Sequence, residues 1–318
     1  MVVASVARRR LFRRTPGHAG EKGVSPLRIA VTGKEGQVAR SMIALGPDMG
    51  VEIIAVGRPD VDLQNPASIL PALKAARPDA IVSAAAYTAV DKAETEKDAA
   101  FAINGAGAGA VAHAARALGV PVLHLSTDYV FDGSKAERYL ETDPTGPTSV
   151  YGASKLEGER QVAAATDVYA IFRTAWVYSP FGANFLKTML RLGETRDALS
   201  VVGDQFGCPT SAEDIARAMI LAAQKMVESN DETYRGVFHL TGSGEATWAD
   251  FAREIFSCAE GFGRKPVTVT AITSDQYPSP VKRPANSRLS GEKLQHIYGI
   301  VLPPWRQSTA KVVATLLG

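Results

Sequence analysis

The stretch Leu27-Arg28-Ile29-Ala30-Val31-Thr32-Gly33-Lys34-Glu35-Gly36-Gln37-Val38-Ala39 runs an apolar strand pattern into a glycine-bearing turn and then into a helical pattern. Glycines where a first strand meets a first helix let the backbone approach a pyrophosphate, and the helix N-terminus offers it free N–H groups. Gly33 and Gly36 hold the first two positions of that pattern; Ala39 holds the third and is small enough for close helix–strand packing. Gly33, Gly36, Gln37 and Val38 are therefore candidate dinucleotide contacts.

Beyond this turn, short runs rich in Val, Ile and Ala alternate with longer helical patterns. Strands are expected over 28–32, 52–56, 80–84, 122–126 and 168–174, with helices over 99–118 and 152–165. Continuous apolar strands separated by helices imply a parallel sheet covered on both faces. The expected fold is α/β: a Rossmann-type doubly wound parallel sheet with a smaller, interleaved substrate-binding lobe. After about Thr174 the texture changes, with denser aromatics, Pro and Gly in Trp176-Val177-Tyr178-Ser179-Pro180-Phe181-Gly182 and in Tyr277-Pro278-Ser279-Pro280. Irregular segments of this kind suit a lobe that encloses a ligand. Val237-Phe238-His239-Leu240 reads as one more strand returning to the large sheet. The division expected is a basic, disordered extension at 1–26, a dinucleotide-binding domain at 27–174 with later segments near 200–240 returning to it, and a mainly substrate-binding lobe at 175–318.

At 318 residues the chain can bury a full core. Charged residues make up 21% and the net charge is +2, so no bulk field points to a nucleic-acid partner. Arg8, Arg9, Arg10, Arg13 and Arg14 crowd the first positions without the apolar run of a signal peptide. No stretch approaches the ~20 apolar residues that span a bilayer. Two cysteines, Cys208 and Cys258, give neither a disulfide framework nor metal-ligand spacing, and a reducing cytoplasm is the expected compartment.

After the second strand comes Val56-Gly57-Arg58-Pro59-Asp60-Val61-Asp62-Leu63. An acidic residue at this strand end favours the ribose hydroxyls of NAD, whereas an Arg pairs with the 2′-phosphate of NADP. Arg58 leans the reading toward NADPH over NADH, with a plain solvated Arg as the competing reading. Asp62 and Leu63 flank the adenine pocket. After the third strand, Ser83-Ala84-Ala85-Ala86-Tyr87-Thr88 offers small side chains that leave room for a cofactor across the sheet edge; Ala85, Ala86, Tyr87 and Thr88 are candidates.

Tyr151-Gly152-Ala153-Ser154-Lys155 places a phenol and an ammonium four residues apart, on one helix face. A lysine beside a tyrosine is expected to pull the phenol from its ordinary ~10 toward neutrality. Such a tyrosine exchanges a proton with a carbonyl oxygen. Leu125-Ser126-Thr127-Asp128-Tyr129-Val130-Phe131 precedes it, an apolar strand ending in hydroxyls. Together these read as a carbonyl–alcohol oxidoreductase using a nicotinamide dinucleotide.

Further blocks are Ala84-Ala85-Ala86-Tyr87-Thr88-Ala89-Val90-Asp91-Lys92-Ala93-Glu94, Ser126-Thr127-Asp128-Tyr129-Val130-Phe131-Asp132-Gly133, Arg173-Thr174-Ala175-Trp176, Asp204-Gln205-Phe206-Gly207-Cys208-Pro209-Thr210 and Arg283-Pro284 with Ser287. On these the chain resembles the extended short-chain dehydrogenases/reductases and, more narrowly, the dTDP-4-dehydrorhamnose reductase family, from about Leu27 to Pro304-Trp305-Arg306. Ala39, Ser83 and Cys208 depart from the family pattern. The resemblance implies reduction of the C4 carbonyl of dTDP-4-dehydro-β-L-rhamnose by NADPH or NADH, giving dTDP-L-rhamnose for cell-surface polysaccharide. It makes Tyr151 the proton donor, Lys155 the holder of the nicotinamide ribose and Thr127 the partner of the reacting oxygen. Asp128, Tyr129 and Trp176 fall in the substrate pocket. Arg283 becomes the candidate cation for the diphosphate; Arg173 is either a second one or a structural partner at a strand end. The resemblance further implies a monomer or homodimer, with Mg²⁺ at a subunit contact in some members and no ligands placed by this sequence. Related 4,6-dehydratases carry Asp-Glu after the Thr, where this chain has Asp128-Tyr129, which argues for simple reduction. The competing reading is a non-catalytic dinucleotide-binding subunit resembling the β regulatory subunit of methionine adenosyltransferase.

Overall fold

Strand β1 (Leu27–Thr32) sends Ile29 and Val31 into one core and Ala30 into another. That division, repeated along the neighbouring strands, makes a sheet buried on both faces. In the computed structural model, residues 25–277, 281 and 283–318 are described; the extension read at 1–26 lies outside them as far as residue 24, as does Pro278-Ser279-Pro280. Strands β2 (Val51–Val56), β3 (Ala80–Ser83), β4 (Val122–Thr127), β5 (Tyr169–Thr174) and β6 (Gly236–His239) join β1 in the order β6-β5-β4-β3-β1-β2. Every pairing is parallel.

The helices Gln37–Leu45 and Ala212–Glu228 cover one face, through Met42, Ile215 and Met219 among others. The helices Ile69–Ala76, Ala108–Leu118 and Val150–Ala165 cover the other, through Leu73, Val111 and Val162. The segment expected as one helix over 99–118 is divided: Lys97–Phe101 is α-helical, Ala102–Gly107 is a π-helical turn and Ala108–Leu118 is α-helical again. A π turn inserts extra chain into a helix and recurs at functional sites.

The chain winds from β1 out to β2, then crosses back to lay β3 on the far side of β1. In open α/β sheets such a reversal opens a crevice at the carboxyl ends of the strands. Over it sits a smaller lobe built from the helices Phe185–Thr195, Trp248–Glu260 and Trp305–Leu317, with Ala198–Val202 paired in parallel to Thr268–Ile272. Its core gathers Tyr178, Phe251, Phe256 and Trp305. Among the described residues no helix is long and apolar enough to cross a membrane.

Candidate active site

A cavity of about 760 Å³ opens at the reversal between β1 and β3 and runs along the carboxyl edge of the sheet to β4 and β5. Thr32 closes its floor: the Thr32 hydroxyl accepts from the backbone N–H groups of Ala84 and Ala85, each at 3.0 Å. Gly33 follows at φ +94°, and a Cβ there would lie 3.3 Å from the Ala85 side chain. Only glycine turns the chain this tightly past Ala85. Among the described residues no side chain caps the helix that begins at Gln37, which leaves its first N–H groups to an anion.

Gly33, Gly36, Gln37, Val38, Arg58, Asp62, Leu63, Ala85, Ala86 and Thr88 all line this cavity. Lys34, not singled out from sequence, lines it too, with its ammonium 2.9 Å from Asp60. Arg58 is exposed at the same end. The Gln37 side-chain oxygen accepts from Ser179 at 2.8 Å and Asn184 at 3.0 Å, which ties the glycine turn to the smaller lobe. The glycine cradle, the uncapped helix end and two cations suit the phosphates of a nicotinamide dinucleotide.

Tyr87 departs from its expected place. It does not line the cavity; its hydroxyl donates to Glu96 at 2.6 Å, outside it. Its backbone is what the site uses. Asn104, on the π turn, accepts from the Tyr87 N–H at 2.8 Å and donates to the Tyr87 carbonyl at 3.0 Å and to the Ser154 hydroxyl at 2.9 Å. One buried amide thus pins the loop after β3 to the helix carrying Tyr151.

That helix, Val150–Ala165, starts where Ser149 accepts from the Gly152 N–H at 3.1 Å. Tyr151, Lys155 and Glu159 form a stripe at i, i+4 and i+8 facing the sheet. Tyr151 meets Thr127 at the carboxyl end of β4 and stands edge-on to Tyr129, with ring centroids 5.5 Å apart. Lys155 Nζ donates to the Leu125 carbonyl at 2.7 Å and lies 3.3 Å from His124 Nε2. Glu159 accepts from Ser126 at 2.6 Å and from Nε and Nη2 of Arg173, one edge of the guanidinium, at 2.9 and 2.7 Å. Thr127, Asp128, Tyr129, Tyr151, Lys155 and Trp176 line the same cavity as the glycine turn.

The expectation that Lys155 draws the tyrosine toward neutrality needs correction. Burial drives the Tyr151 phenol well above its ordinary value, opposed by the Thr127 hydroxyl and reinforced by Asp128 and Tyr129. The lysine's own bonds go to Leu125 and His124. Burial brings Lys155 down to about 8, with Glu159 resisting. Asp128 is buried as well, and burial pushes its carboxyl up to about 6.

Trp176 holds a left-handed backbone, φ +50°, uncommon for a bulky residue. Its indole is stacked on Trp248 with centroids 3.6 Å apart, presenting an aromatic wall from the smaller lobe. Arg283 lies beside the cavity and not on its lining: it donates to the Tyr129 hydroxyl at 3.1 Å and to Asp91 at 2.7 Å. Arg173, the other candidate cation, is the buried partner of Glu159 beneath the strand ends. Lys34, Asn104, His124 and Glu159 are the site-building residues that sequence reasoning passed over. Among the described residues, no group of three or more His, Cys, Asp or Glu side chains is placed to hold a metal ion.

Residues 27–317 match the family model described as the RmlD substrate binding domain. A dTDP-4-dehydrorhamnose reductase of Sinorhizobium fredii is 53% identical over 92% of this chain and 98% of its own length. The crystal structure of a dTDP-4-dehydrorhamnose reductase from Clostridium acetobutylicum superposes with a TM-score of 0.84 at 38% identity, covering 91% of this chain and 99% of that one. The Bacillus anthracis enzyme of the same name, solved in complex with NADP, gives a TM-score of 0.84 at 32% identity over the same shares. With a matching model over nearly its whole length and a relative at 53% identity, the chain belongs to the dTDP-4-dehydrorhamnose reductase family.

Proposed function

We propose that this chain reduces the C4 ketone of dTDP-4-dehydro-β-L-rhamnose to the alcohol of dTDP-L-rhamnose, with NADPH as the favoured cofactor and NADH the lesser one. The observation that carries the reading is the meeting of Tyr151 and Thr127 at the carboxyl end of β4, in one cavity with the Gly33 turn. When bound, the reduced nicotinamide supplies a hydride to C4. Tyr151 then gives its proton to the C4 oxygen. Its raised pKa keeps the phenol protonated across the working range, so the proton is in place when charge builds on the C4 oxygen. Thr127 stands beside the phenol and orients the reacting oxygen. Lys155 holds the nicotinamide ribose. The sheet side of the cleft takes the dinucleotide, and the smaller lobe, through Trp176, takes the sugar. Arg283 is the cation for the diphosphate, exchanging its bond to Asp91 for the ligand. Two free cysteines suit a reducing cytoplasm.

No feature of the site favours the non-catalytic reading. The test is loss of nicotinamide absorbance when the purified protein meets NADPH and dTDP-4-dehydro-L-rhamnose. If a free 6-deoxy-4-ketohexose were reduced as efficiently as its nucleotide form, binding energy from the nucleotide would not be in use and the reading would fail.

A further inference from the structure

His124 sits on β4 three residues before Thr127 and is 1% exposed. Its ring lies between two polar groups. Nδ1 is 3.1 Å from the Ser83 hydroxyl at the end of β3, and Nε2 is 3.3 Å from Lys155 Nζ. An ammonium has three donors and no acceptor, so the ring nitrogen facing it must accept. That puts the imidazole proton on Nδ1, directed at Ser83, and leaves the ring neutral. Burial and the Lys155 charge both hold the His124 pKa well below its usual value, in agreement with a neutral ring.

The Leu125 carbonyl takes a second ammonium proton at 2.7 Å. A lysine head on four rotatable bonds is not fixed by one carbonyl; two acceptors set its direction and leave the third N–H for the cavity that Lys155 lines. A histidine serving only as core filler has no need of this arrangement, since an apolar ring would fill the same space without burying polar nitrogens. We propose that His124, its tautomer set by Ser83, is a positioning residue that aims the Lys155 ammonium into the dinucleotide site. The inference rests on the reductase reading above.

The test compares NADPH affinity, measured by fluorescence titration, with turnover and thermal midpoint in His124→Leu, His124→Gln and Ser83→Ala. His124→Leu and His124→Gln are also made in a Lys155→Met background. Loss of one charge-assisted hydrogen bond predicts that His124→Leu weakens NADPH binding by about tenfold and lowers kcat by a similar factor. Gln, whose side-chain oxygen can accept from the ammonium, restores most of both. In the Lys155→Met background His124→Leu adds no further loss of NADPH affinity, because the residue acts through the lysine. Equal damage by Leu and Gln, a full additional loss without Lys155, or unchanged NADPH affinity would each overturn the proposal. Should His124→Leu fail to fold, Ser83→Ala decides: a smaller loss of affinity in the same direction supports the proposal, and none overturns it. If Lys155→Met itself left affinity and turnover intact, the reductase reading would fall, and not the role of His124 alone.

Discussion

Replacing Asp128 by Asn should stabilise the protein at neutral pH and remove part of its pH dependence. Asp128 is 4% exposed; Ser287 and Thr127 offset part of its burial, Oδ1 accepting from Thr127 at 3.0 Å, while Oδ2 has no hydrogen-bond partner among the described residues. Burial raises the group from 3.8 to about 6. A raised folded-state pKa means that the native protein holds this proton more tightly than the unfolded chain. The associated stability is therefore fully present below 3.8 and lost as pH rises through about 6. A shift of about 2 units, at 1.36 kcal/mol each, makes the ionised group cost about 3 kcal/mol at about pH 7.5. Near pH 4.5 the wild type has recovered about two-thirds of that. Asn does not ionise, and its carbonyl can keep the Thr127 bond, but an amide NH₂ at the Oδ2 position introduces an unpaired donor worth about 1–3 kcal/mol. The variant should then exceed the wild type by up to about 2 kcal/mol at about pH 7.5, and the difference should move by about 2 kcal/mol against it near pH 4.5. Urea unfolding at both pH values measures this. A difference that does not change with pH refutes the reasoning.

Three further outcomes follow from the site. Glu159→Leu strands Arg173 in the interior and should destabilise by about 3–5 kcal/mol, whereas Glu159→Leu with Arg173→Met should recover much of the loss; thermal unfolding of both variants checks it. In Gly207→Ala the new Cβ would lie 2.3 Å from the Trp176 ring, so KM for the nucleotide sugar should rise while the NADPH dissociation constant holds; a shift in the second alone would separate Trp176 from the sugar. Arg58→Ala should raise KM for NADPH more than for NADH, and equal effects would remove Arg58 from the 2′-phosphate.

The glycine turn and the six-stranded sheet were legible because apolar runs and small residues mark them locally. Strand ends read from sequence fell within a residue or so of those observed, as for 28–32 against Leu27–Thr32. The break in the 99–118 helix was not legible, since alanine-rich propensity carries straight through it. What marks the break is Asn104, whose partners lie on the loop after β3 and on Ser154, 50 residues away. Glu159 could have been found by extending the Tyr151–Lys155 spacing one more turn. His124 could not, because in a β4 pattern of apolar residues its two polar partners come from β3 and from a helix. Spacing placed Tyr151 and Lys155 on one face but said nothing about how deeply the phenol is buried or where the ammonium turns, so the expectation of a lowered tyrosine pKa failed there. For Arg173 the sequence left two readings, and only the distances to Glu159 separate them.

The central claim is that Tyr151 delivers the proton. Tyr151→Phe removes one hydroxyl and keeps the ring, so thermal stability and the NADPH dissociation constant should stay at wild-type values. Stopped-flow reduction of dTDP-4-dehydro-L-rhamnose at saturating NADPH should then slow by about 10²–10⁴-fold. A Tyr151→Phe protein that reduces the sugar nucleotide at a near-native rate would contradict the account.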